Sequence, residues 1–257
     1  MPSKEDIKNE ISRKTKMALK DIDLFLSLVN FSLKPFSKKI TAVEENKKRE
    51  YIVTRSGIGI LNTQYGKFYQ YDIHINDQWQ KYSVIVKASL NKKSLLPIFK
   101  NRKQITLRID SGCETKTFGD LTCECDEQLK LAMERISKIG EGIIINIPFQ
   151  DARGHGLPFK LASLWLQDEL KVTTVEAATI LAGDAIDVRT YSGVICILKF
   201  FNNSTSYRIN LLTNNPKKVN IFNENGYMVK CDSISIKPTK YTKKHLQSKQ
   251  KYLGHKI

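Results

Sequence analysis

Three of the chain's five cysteines, Cys113, Cys123 and Cys125, crowd into the pattern C-x9-C-x-C. Thiolates are zinc ligands, and three of them around one ion leave a fourth tetrahedral position open, which distinguishes a catalytic zinc from a structural one. Water at such a position has its pKa lowered towards roughly 7, giving hydroxide at neutral pH. The single residue between Cys123 and Cys125 is also not the C-x2-C knuckle of most structural zinc sites. Spacing alone leaves two other outcomes open. The thiols could cluster without a metal, or Asp110 or a distant histidine could close the site and make it structural. Cys196 and Cys231 stand apart in apolar or strand-like surroundings and read as small buried hydrophobes. Five cysteines over this length make no disulfide framework, so a reducing cytoplasm is the expected compartment.

The elements that must position these sulfurs follow from the periodicity. Ile7, Ile11, Leu19, Ile22, Leu26 and Val29 recur at helical spacing until Pro35, and Glu45 to Glu50 reads as a charged linker. From Tyr51 the texture is that of strands: Gly57 to Asn62, the alternating Tyr69, Tyr71, Ile73 and Ile75, then Tyr82 to Ala88 and Gln104 to Ile109. Together they predict an antiparallel β region of about fifty residues. Leu129, Ala132, Met133, Ile136 and Ile139 mark one helix face, closed by Gly140, and Ile143 to Ile147 reads as a strand buried on both faces. Helices are expected near Leu157 to Leu170, Val175 to Ala182 and Ser192 to Phe200. Strands are expected at Arg208 to Leu212 and Tyr227 to Cys231, with a short helix from Pro216 between them. The fold class expected is α/β with α+β character, an N-terminal antiparallel β region followed by an α/β layer. Residues 1–50 form a basic helical extension and linker. The main domain spans 51–257, divided into a β-rich part (51–110), an α/β catalytic part (111–236) and a basic C-terminal tail (237–257).

Composition bounds the partners. With 41% hydrophobic and 26% charged residues, the chain can bury a substantial core. No apolar window approaches the 18 or so residues of a membrane span, and the Lys-rich first twenty residues lack the apolar core of a secretory signal. The surplus of 42 basic over 26 acidic residues, a net charge of +16, suits a polyanion, either a phosphorylated small molecule or nucleic acid. For residues 1–50 a solvated basic helix face is the simpler reading.

The run from Arg108 to Cys113, followed by that from Phe118 to Leu129, resembles the zinc segment of GTP cyclohydrolase II, the enzyme that opens riboflavin synthesis. The resemblance continues in order through Gln150 to Leu157, Leu166 to Asp168, Thr174 to Ala177, Asp187 to Arg189 and Leu211 to Val219. Lys249 and Gly254 with His255 look similar too, and upstream Thr63 to Phe68 resembles the family's first hairpin. The likeness implies that Cys113, Cys123 and Cys125 hold one catalytic Zn²⁺ per subunit, and that water attacks C8 of the purine to open the imidazole ring and release formate. It implies that Arg108, Gln128, Asp151, Arg153, Thr174, Thr213 and Lys218 bind the nucleotide, GTP foremost, with Mg²⁺ on its phosphates. Arg forks and a Lys point charge suit phosphate oxygens. Asp187 and Arg189 fall on the family's catalytic Asp-x-Arg, in which the arginine is assigned as nucleophile and the aspartate as its proton acceptor. Electrostatic clamping of the phosphoryl group is the more conservative role for a guanidinium that stays protonated. A homodimer is implied as well.

Five departures bear on the chemistry. The loop between the first two cysteines is one residue shorter than usual. Leu164 stands at the family's catalytic tyrosine and has no hydroxyl to orient water or exchange a proton. Trp165 is turned away from that position by about 100° on a helix. Gly112 replaces a glutamate, Asp151 shortens another, and Ala152 replaces a glycine. Retained metal and phosphate groups with altered groups around the base suggest three readings. They are a GTP ring-opening hydrolase that stops at a formamidopyrimidine, a relative acting on another nucleotide such as a uracil nucleotide of pyrimidine catabolism, and a non-catalytic nucleotide- or nucleic-acid-binding protein.

Overall fold

In a computed structural model, residues 1–76, 81–101, 103–148, 150–202 and 205–255 are described. Helices α1 (Lys4–Thr15) and α2 (Leu19–Ser32) precede strands β1 (Phe36–Glu44), β2 (Lys47–Thr63), β3 (Gly66–Ile75) and β4 (Lys81–Lys87). A short ribbon, β5 (Ser89–Leu90) with β6 (Pro97–Ile98), leads to β7 (Gln104–Ser111). Helix α3 (Cys125–Ile139) and strand β8 (Gly142–Ile147) follow. Then come the single turn α4 (Asp151–Gly154) and helices α5 (Leu157–Leu170), α6 (Thr174–Ala182) and α7 (Ser192–Phe200). After them lie β9 (Arg208–Leu212), α8 (Asn220–Glu224), β10 (Met228–Asp232) and α9 (Lys243–Leu253). Among the described residues, no helix is long and apolar enough to cross a membrane.

One eight-stranded sheet runs β1-β2-β3-β4-β8-β7-β9-β10. It is antiparallel from β1 through β4 to β8 and parallel across β8, β7, β9 and β10. The α/β character is therefore as expected, but the seam differs. β7, read as the end of the antiparallel region, lies in the parallel half between β8 and β9. Periodicity detects a strand, not its neighbour's direction.

Side chains alternate across β8. Ile143, Ile145 and Ile147 join the larger core with the almost wholly buried helix α7, whereas Ile144 faces α3 with Phe68, Ala132, Met133 and Ile136. A strand buried on both faces needs no polar alternation, and its apolar run is legible for that reason. β7 has its two parallel neighbours on opposite sides. The connection through α3 leaves towards β8, while β9 lies on the other flank. Such a switch point opens a crevice at the carboxyl ends of the strands, where ligands of α/β sheets bind.

Several local readings are corrected. The helical pattern before Pro35 resolves into the two helices α1 and α2, and the charged stretch Glu45 to Glu50 is no linker. Glu45 and Asn46, with φ of 51° and 62°, form the turn of the β1–β2 hairpin, and the basic residues after them begin β2. Like charges on an edge hairpin look the same in sequence as those of a solvated linker. Cys231, expected to be buried, is exposed on the edge strand β10, whereas Cys196 is fully buried. The Lys-rich tail contains the helix α9.

Arg55 ties the N-terminal helices to the sheet. It is 0% exposed and donates from Nη2 to the Lys34 carbonyl at 3.0 Å and from Nη1 to the Ser94 carbonyl at 3.3 Å. Its guanidinium lies over the rings of Phe31 and Phe36, 5.5 and 5.8 Å from the centroids. Truncation to alanine leaves two carbonyls short of a donor and an apolar void. Arg55→Ala is expected to lower stability by about 2–3 kcal/mol in urea denaturation, against under about 0.5 kcal/mol for exposed Arg49→Ala.

Candidate metal and anion site

The carboxyl end of β7 delivers Cys113, and the amino end of α3 delivers Cys125, with Cys123 two residues before it. The ligand atoms of the three cysteines lie within 4.8 Å of one another. Cys113 Sγ and Cys123 Sγ are 3.6 Å apart, close to the edge of about 3.8 Å that a tetrahedron with Zn–S of about 2.3 Å requires. Among the described residues, no histidine or carboxylate joins the cluster. Asp110, which could have closed it, is taken by Lys116 Nζ at 2.7 Å and Asn146 Nδ2 at 2.7 Å. The helix amino end favours thiolate, and Cys125 N–H donates to Cys123 Sγ at 3.5 Å. Hydrogen bonds from Cys123 and Cys125 pull the Cys113 pKa down, while the proton shared with Cys113 holds that of Cys123 up. Three adjacent sulfurs cannot all ionise without a cation among them. This donor set fits one soft divalent ion with a free coordination position.

Gly112 is fixed by the backbone. Its N–H donates to the Ile147 carbonyl at 2.6 Å, and an added Cβ would meet that oxygen at 2.7 Å and Pro148 Cα at 3.0 Å. No side chain fits between the ends of β7 and β8 here, so a glutamate at this position is excluded by this chain's own packing.

The sulfurs open on a cavity that is also lined by Asp151, Arg153, Lys160, Leu164, Thr174 and Arg189. A smaller second cavity adjoins it at the β7–β9 switch point, lined by Arg108, Gln128, Thr213 and Lys218 with Cys125 and Arg189. Every expected site residue except Asp187 thus lines one of the two. Asp187 acts from behind, accepting from Arg189 Nε at 2.8 Å and Nη2 at 2.6 Å. Burial opposes the charge of each partner, but their mutual hydrogen bonds outweigh it, so the Asp187 pKa is lowered and that of Arg189 raised. Arg153 reaches Thr174, with Nη2 3.3 Å from its Oγ1. Burial, and then the nearby Arg189, lower its pKa to about 10. Arg108 donates to Gln128 Oε1 at 2.9 Å and to the Leu212 carbonyl at 3.1 Å. Lys218 donates to the Ile109 carbonyl at 2.9 Å, and burial holds its pKa well below the usual range.

The turn carrying Arg153 is strained. Ala152 and Arg153 have φ of 46° and 62°, the left-handed region where a glycine pays no steric cost. Leu164 faces the large cavity, and Trp165 is 71% exposed, turned away as the helical step requires. Glu124, His245 and Lys249 also line the large cavity but were not singled out as site residues. Lys249 Nζ holds Glu124 Oε1 at 2.7 Å. For Glu124 the position between two cysteines was the available signal. For His245 there was none, because nothing local says that α9 folds back over the site.

The family model for GTP cyclohydrolase II matches residues 59–232. The chain is 32% identical over 197 residues to the GTP cyclohydrolase-2 of Picrophilus torridus, a match covering 76% of this chain and 94% of that one. It is 38% identical over 168 residues to the GTP cyclohydrolase-2 of Campylobacter hominis, covering 64% and 83%. The riboflavin biosynthesis protein RibBA of Phocaeicola vulgatus is 31% identical over 212 residues. That match covers 82% of this chain but 49% of the RibBA protein, about half its length.

Two outcomes follow from this geometry. Gly112→Ala is expected to cost about 1–3 kcal/mol, read by urea denaturation, because the obstructing atoms are backbone. Asp187, whose folded pKa lies below its unfolded value, stabilises fully above pH about 4 and loses that contribution as pH falls through the folded value. The stability gap between the wild type and Asp187→Asn is therefore expected to close on acidification below pH about 4 in a denaturation series.

Proposed function

Because this chain belongs to the GTP cyclohydrolase II family, whose members are hydrolases, we propose that it is a zinc-dependent cyclohydrolase that opens the imidazole ring of GTP. The observation that carries this reading is the cluster of three sulfurs, open to a cavity that also holds Arg153 and Arg189. Zn²⁺ held by Cys113, Cys123 and Cys125 supplies Lewis acidity that activates water at neutral pH.

The remaining roles belong to the chain's own groups. Arg108, Gln128, Asp151, Arg153, Thr174, Thr213 and Lys218 bind the nucleotide, with Mg²⁺ accompanying its phosphates. Arg189 clamps the phosphoryl group. Asp187 fixes its guanidinium in a bidentate pair and favours its charged form, which suits electrostatic stabilisation better than nucleophilic attack. Asp151 accepts from Glu114 N–H at 3.0 Å, and burial raises its pKa, so this carboxyl is a candidate for proton exchange beside the base. Leu164 gives the cavity an apolar wall with no proton to exchange. The reaction accordingly ends at a formamidopyrimidine, before full release of formate. Assembly as a homodimer, with only the helices α1 and α2 as an accessory basic extension because β1 and β2 belong to the sheet, completes the proposal.

Purified zinc-loaded protein incubated with GTP is expected to change the purine absorbance, and mass spectrometry is expected to find the ring-opened formyl product with little free formate. No spectral change with zinc confirmed would remove GTP, and a panel of nucleoside mono- and triphosphates then tests other bases, the uracil nucleotides included. Leu164→Tyr is expected to raise formate release on the order of 10²-fold, the lower range of general acid–base assistance.

A further inference from the structure

Where the two cavities meet lies a side chain with no role in the scheme above. His255 follows Gly254, whose φ of 65° ends α9, and its backbone N–H returns to the Lys249 carbonyl at 3.4 Å. It is one of six residues that line both cavities, with Ser111, Glu124, Cys125, Arg189 and Lys249. A ligand spanning the two must pass it. Its Nε2 is buried and meets no hydrogen-bond partner. A buried polar atom left unpaired at the wall of a cavity is explained when the ligand supplies the partner.

The surrounding charges say which partner. Lys249 from α9, Arg189 from the segment after α6, Lys218 from the turn after β9 and Arg153 from α4 all face this imidazole, and His245 shares their field. The carboxylate of Glu124 is already taken by Lys249. Burial first, and then these cations, hold the ring neutral, with a pKa of about 3. A neutral imidazole offers one N–H, and a field of four cations collects anionic oxygen.

We propose that His255 is a further substrate-binding residue, its Nε2–H donated to an oxygen of the nucleotide's phosphate chain at the junction of the cavities. The proposal rests on the nucleotide reading above and deepens it.

Calorimetry on the full zinc-loaded chain with inorganic tripolyphosphate and with guanosine tests this. The wild type is expected to bind tripolyphosphate. His255→Phe is expected to bind it roughly tenfold to hundredfold more weakly, with guanosine affinity unchanged. His255→Gln, which keeps a neutral N–H donor, is expected to recover part of the affinity, and it carries the test if circular dichroism shows the phenylalanine variant misfolded. Unchanged tripolyphosphate affinity, or an equal loss for guanosine, overturns the proposal. Wild-type turnover of GTP is scored separately. Its absence removes the GTP reading, whereas the tripolyphosphate result decides the role of His255.

Discussion

Charge balance around three sulfurs is the constraint on which the site depends. Thiol groups this close repel one another when ionised, so a cation has to sit among them or protons have to be shared. The fold supplies partial compensation from its backbone. The amino end of α3 points its free N–H groups and positive dipole at Cys123 and Cys125, and Lys249 and Lys160 add formal charge nearby. Both lysines line the cavity. Of the acids at the site, Glu124 is paired with Lys249, Asp187 with Arg189, and Asp110 with Lys116. Arg108 lies 3.9 Å from Asp110, which leaves Arg153 and Lys218 as basic groups at the site with no carboxylate partner among the described residues.

Sheet topology makes this concentration possible. Parallel strands place their carboxyl ends on one side, so the segments after β7, β8 and β9 converge although they are far apart in the chain. Gly112 shows how tightly the ends of β7 and β8 approach, since no Cβ fits between them. The strained φ angles at Ala152 and Arg153 belong to the same logic. The turn after β8 adopts a conformation that glycine tolerates best, and this chain bears the cost with an alanine while keeping Arg153 at Thr174.

The N-terminal half contributes stability and shape instead of chemistry. Its antiparallel strands extend the sheet, and Arg55 bonds them to the Lys34 carbonyl in the connection between α2 and β1 and to the Ser94 carbonyl between β5 and β6. α1 has no buried residue, and of its lysines Lys4 and Lys14 face solvent while Lys8 pairs with Glu5 and with Asp23 of α2. Its charge is a property of the surface, distinct from the inward-facing cations of the cavities.

By itself the sequence determined the cysteine cluster, the ordered motifs of the family and most helices and strands. Each of those signals is local: a cysteine spacing, a short motif, or a run of isoleucines such as Ile143 to Ile147 that hydrophobic burial demands. Only the tertiary structure decided that β7 joins a parallel half, that Glu45 and Asn46 turn a hairpin, that Cys231 faces solvent, and that α9 folds back to bring His245, Lys249 and His255 over the sulfurs. Strand direction, burial on an edge and the docking of a polar helix depend on partners remote in the chain. No periodicity within a segment encodes which surface will come to lie against it.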